Sequence, residues 1–195
     1  MRSVQATQED IELYKALYGD QEVMKLFHDG LPKSAEYIEG RIRNTWADRW
    51  KNGLCCSALA VFDKKTNAFL GNVNMGPGDH EKTVEIAYLF HKHCWGKGYG
   101  KEAVLAFVGD YIPAAMEEAY RLPDGSFIEK IVATARVDNE ASKKILQAAK
   151  MKIEETTERY GALRHHYSIN ATSLPSMTLR TPPSEKGKKQ EVVHK

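Results

Sequence analysis

The sequence predicts an α+β protein: a mixed, mainly antiparallel sheet of six to seven strands flanked by helices. Three observations carry this. Apolar residues recur at helical spacing through most of residues 8–50. The period then changes to two over residues 57–90. Beyond that point helical and strand patterns alternate, and the last two segments both read as strands.

The elements follow in order. Residues 2–7 alternate weakly and suggest an edge strand. Thr7 with Asp10 three positions on resembles a capping box, and Ile11, Tyr14, Leu17 and Tyr18 continue at helical spacing until Gly19. Val23, Leu26 and Phe27 suggest a short second helix. A third begins at Pro32 and Ser34, with Tyr37, Ile38, Ile42, Thr45, Trp46 and Trp50 on one stripe. Strands are expected over 57–62, 69–75 and 83–90, joined by turns at Lys64-Lys65-Thr66-Asn67 and Gly76-Pro77-Gly78-Asp79. A glycine-rich turn leads into a helix on which Ala103, Phe107 and Tyr111 align, and Pro113 is expected to break or kink it. After a second helical piece over 114–120, Lys130–Val137 reads as a strand. Asp138-Asn139 opens a helix with Ala141, Ile145, Leu146 and Ala149. Lys152–Arg159 and Leu163–Ile169 complete the sheet. Strand, turn, helix and strand over 83–137 form a crossover unit.

Composition narrows the function. The chain has 195 residues with 42% hydrophobic and 28% charged, which suits one globular domain. We place that domain at 1–172 and expect a disordered basic tail over 173–195, rich in Pro, Ser, Thr and Lys. The net charge of +2 is concentrated there: the tail carries five Lys or Arg against two acids, which leaves the remainder at −1. Bulk charge therefore gives no footing for nucleic acid. Three cysteines, two of them adjacent, form no disulfide framework, so a reducing, cytoplasmic setting fits. No apolar run approaches the ~20 residues of a membrane span. Monomer and homodimer stay equally open.

The informative stretch is Trp95-Gly96-Lys97-Gly98-Tyr99-Gly100-Lys101-Glu102-Ala103. Glycines permit backbone angles closed to other residues and let a ligand approach the main chain. The unpaired N–H groups of a helix start, with the helix dipole, favour an anion there. A P-loop is excluded, because Trp95 stands where its first glycine belongs and Glu102 where its Ser or Thr belongs. The Gly-x-Gly-x-Gly spacing after an antiparallel meander also disfavours a dinucleotide fold.

This turn resembles the signature of the GCN5-related N-acetyltransferases (GNAT), which lies between the family's fourth strand and third helix. It is most similar to the subgroup that acetylates ribosomal-protein N-termini. Asn139-Glu140-Ala141-Ser142 resembles the family's second element, Asn-x-x-Ser. The likeness covers residues 1–170, with extra residues over 113–125. One departure is Lys150-Met151, where the family has Gly-Phe at a helix exit.

The resemblance implies acetyl-CoA as donor and a primary amine as acceptor; no metal is expected, because no second ligand pair has zinc spacing. Backbone N–H groups of Trp95, Gly96, Lys97, Gly98, Tyr99, Gly100 and Lys101 would hold the pyrophosphate. The strand would splay from its neighbour near a bulge, and main-chain groups at Leu89 and His91 would pair with the pantetheine amides. Asn139 would bond the same arm. The amine must lose a proton, which is easier for an α-amine (pKa ~7.7–8) than for lysine (~10.4). Glu85 is the candidate base; the alternative is an exposed strand residue. Ser142 or Tyr167 would protonate the leaving thiolate, although a thiol of pKa ~8.5 can depart without an acid. Ser142 alternatively supports its helix turn, and Tyr167 the core.

Other features have plainer readings. His91-Lys92-His93-Cys94 lacks a second ligand pair at zinc spacing. His165 and His166 point to opposite faces, so one at most meets the acceptor. Trp46 and Trp50 read as core. The acceptor could be a protein N-terminus, a polyamine, an amino acid or an antibiotic, and an acidic groove would favour the polycation. The alternative from another class is a non-catalytic acyl-CoA-binding module.

Overall fold

The computed structural model describes residues 1–118 and 120–174. The basic tail expected over 173–195 lies, from residue 175 onward, outside the described residues.

Seven strands form one sheet: β1 (Arg2–Ser3), β2 (Ala58–Phe62), β3 (Phe69–Pro77), β4 (Thr83–Phe90), β5 (Lys130–Arg136), β6 (Lys152–Arg159) and β7 (Ala162–Asn170). Their order is β1-β2-β3-β4-β5-β7-β6, and only β4 and β5 run parallel. The helices are α1 (Gln8–Tyr18), α2 (Gln21–Met24), α3 (Ala35–Arg41), α4 (Ala47–Lys51), α5 (Tyr99–Ala106), α6 (Ile112–Glu117) and α7 (Glu140–Ala148).

Strand alternation divides the core into two clusters, one on each face of the sheet. On one face Val73, Val84, Ile86 and Phe90 pack with Phe107, Ile112 and Leu146 from the α5–α7 side. On the other, Ala58, Ala60, Phe69 and Leu89 pack under Ile11, Tyr14, Ile38 and Trp46 from α1–α4. Trp46 is thus core, and Trp50 is partly buried beside both clusters.

Local chemistry sets the helix ends, with two departures from expectation. Thr7 accepts the Asp10 N–H at 3.2 Å, but Asp10 does not return the bond as a capping box requires. Its buried carboxylate instead accepts from Gln5 N at 2.7 Å and pairs with the Arg2 guanidinium, which ties β1 to α1. Pro113 does not break its helix. A π turn at Phe107–Tyr111 precedes it, Ile112 N–H bonds Phe107 O, and the proline sits in the first turn of α6, where no donor is needed. A second π turn, Ile42–Trp46, joins α3 to α4.

At the exit of α7, Lys150 occupies the family's glycine position with φ 63°, in the left-handed region. Met151 N–H still bonds Leu146 O at 3.1 Å, and the Met151 side chain is buried in the core. The exit is therefore kept at the cost of backbone strain. Lys150→Gly is expected to stabilise the fold by about 1 kcal/mol, read from the urea midpoint at unchanged slope.

Candidate active site

The parallel β4–β5 ladder has only three register pairs: Thr83↔Lys130, Val84↔Ile131 and Glu85↔Val132. Beyond Glu85 the strands separate. The β3–β4 register runs unbroken from Gly71↔Phe90 to Pro77↔Val84, so the split arises without the bulge expected in β4. A cleft of about 890 Å³ occupies the gap, with Ile86, Tyr88, Phe90, Ala133 and Ala135 along its limbs.

The glycine turn lies at the open end. Gly96 and Gly98 have φ 72° and 85°, so both need glycine. A Cβ at either would meet nothing within 4 Å, which means the turn faces open space. At Gly100 a Cβ would sit 3.4 Å from the Phe90 ring and 3.5 Å from Ile145, ordinary contact with the core beneath the turn. Gly98 caps α5 without a side-chain bond, and the first helical hydrogen bond is Glu102 N–H to Gly98 O at 2.9 Å. Among the described residues, backbone N–H groups from Gly96 to Lys101 have no protein acceptor. The turn thus presents a row of free donors at a helix start. Trp95, Gly96, Gly98, Gly100 and Lys101 line the cleft; Lys97 and Tyr99 do not. The Tyr99 phenol bonds Asp63 at 3.3 Å, and Trp95 folds its indole N–H onto Phe90 O at 2.8 Å.

The ladder also decides which main-chain groups face the gap. His91 N–H donates to Leu70 O at 2.9 Å, towards β3. Residues of the same parity, Leu89 and Ala87, must face β3 as well, while Tyr88 and Phe90 face the split. This corrects the expectation for Leu89 and His91 by one residue: Leu89 meets the cleft through its side chain, and His91 does not line it. The free groups belong to Tyr88 and to the Phe90 N–H, since Phe90 O holds Trp95.

Asn139 and Ser142 stand across the split. Asn139 caps α7 by accepting Ser142 N–H at 3.0 Å, and both line the cleft. Ser142 Oγ lies 2.7 Å from the Tyr88 hydroxyl, so β4 and α7 are bridged at this point. Burial pushes the Tyr88 phenol well above its ordinary pKa. Tyr167 is 1% exposed, lies in the core and has a hydroxyl without a partner among the described residues; it does not line the cleft.

Glu85 marks the closed end of the split, on the face covered by the N-terminal helices. Its carboxylate lies 3.6 Å from Arg159. Burial raises its pKa above the usual carboxylate range, and Asp79 adds to this; Arg159, Arg164 and His166 pull the other way. Arg164, Arg41 and Tyr160 also line the cleft, and the Arg164 guanidinium lies 5.7 Å from the Tyr160 ring. Sequence reasoning passed over Tyr88 and Arg164. The one available signal for Arg164 was a charge at an inward position of an alternating strand.

The remaining candidates lie elsewhere. The His91 and His93 rings stack at 5.5 Å, and among the described residues no three His, Cys, Asp or Glu side chains cluster to hold a metal. His165 and His166 bond Thr156 and Thr157, each at 2.8 Å. No described helix is long and apolar enough to cross a membrane.

Comparison with known proteins assigns the architecture. Residues 2–152 match the acetyltransferase (GNAT) domain model. An uncharacterized protein of Bacillus subtilis, YkkB, is 31% identical over 96 residues, which is 48% of this chain and 54% of that protein. The chain thus aligns with about half the length of this curated relative. A Vibrio fischeri ribosomal-protein-S5-alanine acetyltransferase has the same fold, with TM-score 0.66 and 16% identity over 89% of this chain and 93% of that one. A spermidine N-acetyltransferase from Vibrio cholerae, solved with CoA and spermine, gives TM-score 0.66 and 13% identity over 88% and 94%. The chain belongs to the GNAT acetyltransferase family.

Proposed function

We propose that this protein transfers an acetyl group from acetyl-CoA to a primary amine by direct attack, with Glu85 as the base. The carrying observation is the split between β4 and β5. It has free N–H donors of the glycine turn at its open end and a half-buried carboxylate at its closed end. The family assignment and the CoA-bound fold neighbour support the same reading.

Each residue then has a task. Gly96–Lys101 N–H groups would hold the pyrophosphate, whose negative charge suits the start of α5. Tyr88 and the Phe90 N–H would pair with the pantetheine amides as an added strand does. The thioester would reach the closed end, where Glu85 accepts the amine proton, directly or through water. The amine nitrogen bonds the carbonyl carbon, the C–S bond breaks, and CoA leaves as thiolate. The Tyr88–Ser142 hydroxyl pair would hydrogen-bond that sulfur, and the thiolate would take its proton from solvent. The raised Glu85 pKa favours this role, since a base works best when its pKa nears the working pH.

The test is incubation with acetyl-CoA and a panel of amino acids, polyamines and N-terminal peptides. The expected result is release of free CoA thiol with a matching acetyl mass gain on one class of amine. Binding of acetyl-CoA with no transfer to any amine would favour a non-catalytic module. Tyr88→Phe and Ser142→Ala are each expected to lower kcat/KM by about tenfold. The double variant should lose little more than either alone, because the two hydroxyls act as one unit. Independent, additive losses in a double-mutant cycle would reject the pairing.

A further inference from the structure

We infer that the acceptor is a small amine bearing a carboxylate, and that Arg164 receives that carboxylate. This rests on the acetyl-transfer reading and specifies its second substrate. Arg164 is 4% exposed, yet it borders the cleft. Its Nε donates to Thr134 Oγ1 at 3.2 Å and its Nη1 to His28 O at 3.3 Å. Among the described residues it has no ion pair, and its Nη2 has no hydrogen-bond acceptor. A buried charge is costly unless it is paired and fully hydrogen-bonded. The nearby acid does not meet the need: Glu85 pairs with Arg159, which also holds Asp79 at 3.1 Å. One edge of a rigidly held guanidinium is therefore left for an anion, and its planar fork matches a carboxylate.

Position and shape narrow the ligand. Arg164 shares the sheet face of Glu85: its Nε bonds Thr134, two residues along β5 from Val132, the register partner of Glu85. An amine at Glu85 with its carboxylate at Arg164 is thus a compact zwitterion. His28, in the loop between α2 and α3, stacks on Tyr160 of the β6–β7 turn at 3.8 Å. Both residues adopt left-handed backbone, with φ 46° and 56°, and such strain persists only where the surroundings impose it. The stack stands beside Arg164, whose Nη1 bonds His28 O and whose guanidinium lies 5.7 Å from the Tyr160 ring, so the subsite is walled on that side; the free carboxylate it would hold is one that a peptide N-terminus lacks. The charged side chains that line the cleft, Arg41, Arg49, Lys101 and Arg164 against Glu22 and Glu85, disfavour a polycation.

The experiment measures kcat/KM at saturating acetyl-CoA for matched trios: an amino acid, its carboxamide, and the same amine with methyl in place of the carboxylate. The free acid should be preferred by at least ~30-fold, the loss expected when a buried charge loses its partner. Arg164→Gln should erase that preference while acetyl-CoA binding persists. Carboxamides or simple amines used as well as acids would overturn the inference. So would a preference that survives in Arg164→Gln, or transfer confined to peptide N-termini or polyamines. If Arg164→Gln fails to fold, the trio on the unaltered protein still decides. Absence of acetyl-CoA binding would defeat the acetyl-transfer reading itself, whereas binding without use of any amino carboxylate would defeat only the acceptor assignment.

Discussion

Replacing Glu85 with Gln is expected to lower kcat by about 10²- to 10⁴-fold, the usual contribution of a general base. The amide keeps the side chain's size but cannot accept a proton. Acetyl-CoA affinity should be retained, because Glu85 sits at the closed end of the split, away from the glycine turn. The pH profile gives a second readout. Burial raises the Glu85 pKa, with Asp79 assisting and Arg159, Arg164 and His166 opposing. The unaltered enzyme should therefore lose kcat/KM as pH falls, through an acid limb above the ordinary carboxylate range. The direction follows from chemistry: below that pKa the carboxyl is protonated and cannot act as base. Glu85→Gln should lack this limb. Unchanged turnover in the variant would remove Glu85 from the mechanism.

Gly98→Val should weaken acetyl-CoA binding by at least ~100-fold. Gly98 holds φ 85° as the cap of α5, a conformation that a β-branched residue adopts only under strain. The new side chain would also project into the space before the free N–H groups, where no protein atom lies within 4 Å. Losing two charge-assisted hydrogen bonds at about 1.5–3 kcal/mol each accounts for such a drop. Calorimetric titration reads it directly. Gly100→Ala should act differently: its Cβ would meet Phe90 and Ile145 at ordinary contact distance, so stability should change little.

Much of this was legible in the residues because period and punctuation agree. The switch from helical spacing to alternation locates β2, β3 and β4, and the Thr83–Phe90 strand has the expected limits. The glycine turn was readable because Gly96 and Gly98 occupy angles that only glycine adopts freely. Three features were hidden for physical reasons. The π turn before Pro113 carries the helix into α6 and places the proline in its first turn, where the residue alone suggested a break or kink. Parity along β4 depends on its pairing with β3, and a one-residue slip reverses every main-chain group; hence the groups that face the split belong to Tyr88 and Phe90 and not to Leu89 and His91. Arg164 becomes visible only when Thr134, His28 and Tyr160, distant in sequence, meet around it. The Tyr88–Ser142 bridge, 54 residues apart, was hidden likewise.

Amide hydrogen exchange with and without acetyl-CoA locates the cofactor residue by residue. New protection is expected at the amides of 96–101 and at Tyr88 and Phe90, with Leu89 and His91 little changed because their groups already face β3. Saturating acetyl-CoA that protects neither the turn nor β4, or that protects a different part of the sheet, would contradict this placement of the cofactor.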